Sequence, residues 1–284
     1  MKKILALTLA VMFALFAFAG CGSNGGDEDA TKPASEQTDK ILDGQGNEVT
    51  ELVVGFDAEF PPFGFVAEDG SYDGFDLAVA KEVADRLGIG FKATPIDWNS
   101  KDTELNSGTI NCIWNGFTYN GRETEYTWSD CYYDATIVVV VKADSGIKAL
   151  ADLAGKTVMV QEGSSGLDAL NSDENKSVTD SFKKLVTLPD YNSGFMELEQ
   201  GSVDAVVADY GVAAQNMSKK EGQYIVLDDV ISKEQYAVGF KLGNVGLCEA
   251  VNDKLHEIAA DGTMNTIAQK YVDSGLVLES IILK

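Results

Sequence analysis

With 284 residues and 45% hydrophobic side chains, the chain can build one large or two medium cores. Its 45 acidic against 22 basic side chains give a net charge of −23 at pH 7, which sets nucleic acid aside as a partner. One histidine and no phosphate-loop lysine spacing leave a serine triad and nucleotide hydrolysis without their parts.

Lys2 and Lys3, an apolar run from Ile4 to Phe18, and then Ala19 and Gly20 form the charged region, apolar core and cleavage site of a secretion signal over residues 1–20. The run is shorter than the roughly 20 residues that a bilayer crossing needs. A cysteine follows directly, which resembles the lipobox of bacterial lipoproteins, with Phe18 where leucine is usual. The resemblance implies a lipidated Cys21 that holds the protein on the extracellular face of the cell membrane, or in the periplasm where there is an outer membrane. Residues 21–46 are expected as a flexible tether, because Gly22 to Lys40 is rich in Gly, Ser, Asp, Glu and Thr. Removing residues 1–20 takes two lysines and no acid, leaving 20 basic against 45 acidic side chains and a net charge of −25.

From Glu51 the pattern alternates strand and helix. A strand at Leu52–Phe56 precedes a helix from Asp76 to Leu87, in which Leu77, Ala80, Val83, Ala84 and Leu87 share a face. Asp76 can cap its start, and Gly88 suits a left-handed stop. Further strands are predicted at Phe91–Ile96, Ile110–Trp114, Ile137–Val141, Thr157–Val160, Leu185–Leu188, Val203–Ala208, Tyr224–Leu227 and Ala237–Leu242. The last helices are predicted near Gly246–Ala260 and Met264–Val272. Alternating βα units imply an α/β fold of mostly parallel sheets flanked by helices, with ligands bound beyond the strands' carboxyl ends. Asp57, the stretch Asn115 to Thr118, Gly163 to Ser165 and Asp209 all fall at such ends.

A zwitterion bound away from water needs a fixed cation and donors for its carboxylate, and a carboxylate for its ammonium. The chain has two arginines. Arg86 lies near a helix end, where a solvated role is expected, so Arg122 remains as the clamp, against the plainer reading of a surface arginine after a turn. Thr118 adds a hydroxyl. The run Gln161–Gly166 between strand and helix could offer backbone N–H groups to an anion through Ser164 and Ser165, or be an ordinary capped loop. Asp209 reads as the ammonium's partner or as a helix cap. Phe60, Phe63 and Trp98 read as pocket walls or as core. His256 is expected on a helix surface. If Cys21 carries lipid, Cys112, Cys131 and Cys248 remain, an odd number without metal-type spacing, so at least one buried thiol is expected and one disulfide stays open. No metal or cofactor is expected.

Asp57-Ala58-Glu59-Phe60-Pro61-Pro62-Phe63, then Gly74-Phe75-Asp76, closely resembles the family 3 solute-binding proteins of ABC amino-acid importers. The likeness continues through Leu105 to Cys112, Asn115 to Thr118, Arg122, Leu153 to Lys156, Gly163 to Ser165 and Val203 to Ala205, in order and spacing, from about Glu51 to Lys284. It implies a type II two-lobed fold with two crossing hinge strands, residues 47–136 and 238–284 in one lobe and 137–237 in the other. It further implies that Arg122 and Thr118 clamp the ligand carboxylate with Ser165, that Asp209 and the Gly116 carbonyl take the ammonium, and that Asp57, Phe60 and Trp98 line the side-chain pocket. Asn115 and Ser164 belong to the same loops. Two departures stand out: the Thr118–Arg122 loop is one residue shorter than the common pattern, and Glu162 looks inserted. The resemblance implies no enzyme, a monomer, a polar or basic amino acid or cystine as ligand, and an ABC permease with its ATPase as partners. The rivals are a cyclohexadienyl or arogenate dehydratase of similar fold, for which Glu162 is the one candidate acid, and a ligand-sensing receptor module, which would need a signalling segment that the chain up to Lys284 does not show.

Overall fold

The computed structural model describes residues 40–283, so the expected secretion signal, Cys21 and most of the expected tether lie outside the described residues. The strands are β1 (Glu51–Phe56), β2 (Glu59–Phe60), β3 (Gly64–Val66), β4 (Tyr72–Asp73), β5 (Gly90–Pro95), β6 (Cys112–Ile113), β7 (Thr127–Trp128), β8 (Tyr133–Lys142), β9 (Thr157–Gln161), β10 (Lys184–Leu188), β11 (Ala205–Asp209), β12 (Tyr224–Tyr236) and β13 (Gly239–Phe240). The helices are α1 (Phe75–Leu87), α2 (Lys101–Ser107), α3 (Ser165–Asn171), α4 (Lys176–Thr179), α5 (Tyr191–Gln200), α6 (Tyr210–Ser218), α7 (Val245–Ala260) and α8 (Thr263–Ala268).

Two five-stranded sheets run in the orders β5-β1-β6-β13-β7 and β10-β9-β11-β8-β12, with a small β2-β3-β4 sheet beside the first. Both are mixed rather than mostly parallel. In the first, β1 pairs parallel with β5 and β6 while β13 is antiparallel to β6 and β7. In the second, β9 pairs parallel with β10 and β11 while β8 is antiparallel to β11 and β12. β8, antiparallel to both of its neighbours, follows β7 of the first sheet without a helical crossover to turn it parallel.

β8 and β12 pair from Tyr133 opposite Tyr236 to Lys142 opposite Tyr224, with register shifts on either side of Val230. Both exceed their predicted lengths. The added residues, such as Asp134, Asp228, Asp229 and Lys233 to Gln235, carry weak strand propensity and form a strand because a partner supplies the ladder. Where the two strands enter the first sheet, Tyr133 and Tyr236 stack at 5.7 Å. Phe63 sits edge-on to both, at 5.3 and 5.2 Å.

α1 buries Leu77, Val79, Ala80, Val83 and Ala84, and stops at Gly88 in the left-handed conformation (φ 69°). Its start corrects the expected cap. Gly74 is the N-cap, at a φ of 138°, where a Cβ would lie 2.2 Å from the Phe63 carbonyl oxygen. Asp76, the second residue of the helix, is fully buried and accepts hydrogen bonds from the Gly116 N–H at 2.6 Å and the Tyr132 hydroxyl at 2.7 Å. Burial pushes its carboxyl up to about 7. Asp76→Ala leaves both donors without an acceptor and is expected to destabilise the protein by about 1–3 kcal/mol for each, less the relieved burial of the acid. Urea unfolding checks this: Asp76→Asn, which keeps one acceptor oxygen, should lose less of the midpoint than the alanine variant.

The tether ends before residue 46. Ile41 packs against the core, Leu42 bridges Glu48, and Asp43 accepts from the N–H groups of Gln45 and Asn47 in a tight turn. After α8 the expected last helix continues only as a 3-10 segment, Gln269–Ser274. Cys112, Cys131 and Cys248 are all free thiols, and Cys112 and Cys248 are buried. His256 is on the exposed side of α7, against Asp130 at 2.7 Å.

Candidate functional site

The strand ends of both sheets converge. The segment after β1 turns at Asp57, whose backbone N–H donates to Asn115 Oδ1 at 3.0 Å, so the post-β1 and post-β6 loops hold each other. Asp57 is buried, and its carboxylate accepts from the Glu59 N–H at 2.8 Å and from Gln161 Nε2 of β9 at 2.6 Å. Burial pushes this carboxyl up to about 6, with Glu59 and Asp190 adding to the shift. Gly116 has a φ of 54°, and a Cβ there would lie 2.7 Å from the Phe60 ring and 3.1 Å from Tyr236. Phe60 packs on Phe63 and Tyr191 at 5.8 and 5.9 Å.

Thr118 bridges across the cleft. Its hydroxyl lies 3.1 Å from the Ser165 hydroxyl at the start of α3 and 2.7 Å from a Glu234 carboxylate oxygen of β12. Arg122 is 8% exposed, lies over the Phe117 ring at 5.3 Å and donates through one terminal nitrogen to Asp168 of α3 at 2.8 Å. Asp209, at the end of β11, is 4% exposed and accepts from the Tyr236 hydroxyl. Its side chain makes no capping hydrogen bond to α6. Burial pushes it up to about 8, Glu234 adds to the shift, and Arg122 opposes it.

Arg122, Thr118, Ser165, Asp209, Asn115, Gly116, Asp57 and Phe60 therefore lie on linked loops, while two predicted residues do other work. Trp98, which opens a 3-10 turn, packs edge-on to Phe117 at 5.6 Å within a buried cluster that includes Leu105, Ile110, Ile113 and Tyr126, so its ring is core. Ser164 caps α3, accepting from the Leu167 N–H at 3.2 Å and donating to the Gln161 carbonyl at 2.8 Å, so its hydroxyl is committed to the loop. Glu162 is exposed and accepts from Asn99 Nδ2 at 3.4 Å.

Sequence reasoning passed over the side chain of Gln161 and over Asp168, Glu234 and Lys101. Glu234 lies in a stretch whose polar composition hides its strand, yet it is only 6% exposed and accepts from Thr118 and from Ser232 Oγ at 2.7 Å. Lys101 opens α2 and is 7% exposed; the signal that could have found it is a lysine one turn beyond an aromatic in a short amphipathic helix. Among the described residues no group of histidine, cysteine and acid side chains is arranged to hold a metal ion, and no helix is long and apolar enough to cross a membrane.

The chain is similar to known proteins in sequence and in fold. The sequence profile of a family described as bacterial extracellular solute-binding proteins, family 3, matches residues 52–274. The L-cystine-binding protein TcyJ of Escherichia coli (strain K12) is 29% identical over 223 residues, covering 78% of this chain and 82% of the relative. The arginine-binding extracellular protein ArtP of Bacillus subtilis (strain 168) is 28% identical over 276 residues, covering 95% of this chain and 98% of the relative. Among solved structures, an ABC uptake transporter substrate-binding protein from Streptococcus pneumoniae with bound histidine is similar at a TM-score of 0.75 and 30% identity, over 80% of this chain and 94% of that one.

Proposed function

The chain belongs to the family 3 bacterial extracellular solute-binding proteins, and on that premise we propose that its cleft captures a polar or basic amino acid, or cystine, and delivers it to a membrane permease. It is the substrate-binding protein of an amino-acid ABC transporter, with a type II two-lobed fold. The observation that carries the ligand reading is the pair of buried groups of complementary chemistry, the Arg122 guanidinium after β6 and the Asp209 carboxyl at the end of β11, together with the Thr118–Ser165 contact between the loops that follow β6 and β9. A carboxylate at Arg122 and an ammonium at Asp209 would satisfy both and tie the two sheets together.

Residues 47–136 with 238–284, and residues 137–237, serve as the two lobes, joined through β8 and β12. Contacts from both lobes to one ligand give the closed form its differential affinity, so ligand shifts the population towards closure. Residues 1–20 act as the secretion signal and lipid on Cys21 as the anchor; Cys21→Ala should release the protein from membranes, and retention there would contradict lipidation.

A thermal-shift screen of the purified protein against the twenty amino acids and cystine tests the reading, since ligand that binds only the folded state raises its melting temperature. One or a few polar amino acids should shift it; silence across the panel would overturn the assignment. Asp57 sets the expected preference. With its carboxyl at about 6, it is mostly ionised at pH 7 and favours a cationic side chain. Asp57→Ala should weaken arginine and lysine on the order of tenfold while changing neutral ligands less, as read by calorimetry.

A further inference from the structure

Lys101 carries a buried charge with no counter-ion. Its side chain is 7% exposed, and its ammonium donates only to neutral acceptors, the Gly163 carbonyl at 3.2 Å and, at the limit, the Trp98 carbonyl at 3.5 Å. No carboxylate pairs with it among the described residues. The acids around it are otherwise engaged or in solvent: Asp102 accepts from the Tyr126 hydroxyl, Asp168 takes Arg122, and Glu125 is exposed. Taking an ammonium out of water is expensive unless an anion compensates it, and two neutral carbonyls leave one of its three N–H donors unused. Burial first, and the neighbouring Arg122 second, push the lysine's proton affinity down, as expected for a cation that lacks its anion.

The missing anion has a place. Lys101 stands over the Trp98 ring at 5.4 Å and Arg122 over the Phe117 ring at 5.3 Å, and these two rings meet edge to face at 5.6 Å. The two cations thus share one aromatic floor, and both line a cavity of about 800 Å³ that also reaches Ser165 and Glu234. The aromatic faces hold the cations by their quadrupoles without neutralising them.

We propose that Lys101 is a second cation for the ligand's α-carboxylate, acting beside Arg122, so that the clamp recognises α-amino carboxylates with two charges rather than one. The proposal rests on the zwitterion reading given above. It explains why a lysine is buried at the opening of α2, next to the loop that presents Ser165. Its bond to the Gly163 carbonyl also ties it to the opposite loop. Gly163 takes the left-handed conformation (φ 67°), and a Cβ there would lie 3.2 Å from Asn99 Oδ1.

The test separates charge recognition from simple bracing of the loop. Dissociation constants are measured on the full chain for the amino acids, cystine included, that raise its melting temperature and for their α-amides, which lack the carboxylate charge, in wild type, Lys101→Met, Lys101→Gln and Lys101→Arg. Methionine keeps the stem over Trp98, and the glutamine variant serves if methionine does not fold. Wild type should prefer each acid it binds over its amide, and the neutral variants should cut that preference about tenfold, with arginine at this position retaining most of it. An equal loss for acid and amide, or an unchanged preference, would make Lys101 a brace for the Gly163 loop and overturn the proposal. If wild type binds no amino acid and no cystine, the ligand reading itself fails and takes the Lys101 assignment with it.

Discussion

Arg122→Ala is expected to weaken every natural ligand by about 2–5 kcal/mol, on the order of 30- to 5,000-fold in Kd, while leaving the fold in place. The large effect follows from geometry. The guanidinium is buried over Phe117, one of its nitrogens is held by Asp168, and its remaining donors have no protein acceptor among the described residues, so they are available to a carboxylate. The small effect on folding has a separate cause. Asp168 is 69% exposed, so the ion pair that is lost is well solvated at one end and contributes little. The Arg122 backbone carbonyl, which accepts from Trp128 Nε1 at 3.1 Å, is untouched by the substitution. Calorimetric titration together with a urea midpoint separates the two: unchanged affinity would remove Arg122 from the clamp, and a collapsed midpoint would make it a structural residue. Arg122→Lys should recover part of the loss, because a point charge replaces the planar fork.

The second large effect is at Asp209, where binding and protonation are linked. Burial raises this carboxyl to about 8, so near neutral pH the ligand-free protein holds a proton there that a ligand ammonium must displace. The sign follows directly. The complex binds fewer protons than the free protein, so affinity rises with pH, by up to tenfold per unit, until it levels off near pH 8. Asp57 titrates at about 6 and confounds the lower end, so the clean window is pH 6.5–8. Titrations in buffers of different ionisation enthalpy should report release of close to one proton per ligand at pH 7. No proton release, with flat affinity across the window, would place the ammonium elsewhere.

Asp209→Asn tests the same carboxylate from the stability side. The folded state keeps a proton that the unfolded chain gives up at ordinary carboxylate pH, so Asp209 costs stability progressively as pH rises towards about 8. The asparagine variant should therefore bind its ligand far more weakly and yet lose less stability than wild type between pH 5 and 8. Weakened binding without that flatter stability profile would mean that the acid is not buried as described.

Most residues of the candidate site stand where the sequence places strand ends, for a physical reason. α/β sheets place ligands beyond strand ends, and Asp57, Asn115 to Thr118, Ser165 and Asp209 each follow an apolar run that reads as a strand. What escaped were side chains whose role depends on a partner distant in sequence. Asp76 looked like a helix cap because the acid sits at the start of an apolar periodicity, but one of its oxygens accepts from both Gly116 and Tyr132, 40 and 56 residues away. Glu234 was hidden because β12 continues through Asp228, Asp229 and Lys233, held by β8 rather than by its own propensity. Trp98 stood in a post-strand segment and was read as a wall, whereas the loop folds back and buries it against Phe117. Ser164 and Ser165 are adjacent and chemically alike; only the direction in which each hydroxyl bonds separates the cap from the residue that meets Thr118.

The most direct measurement is a calorimetric titration of wild type and Arg122→Ala with whichever amino acid gives the largest thermal shift. One ligand per chain, bound with a Kd in the micromolar range or tighter by wild type and lost from the variant, is the expected result. Equal binding by both, or no binding of any amino acid by wild type, would contradict a zwitterion held between Arg122 and Asp209.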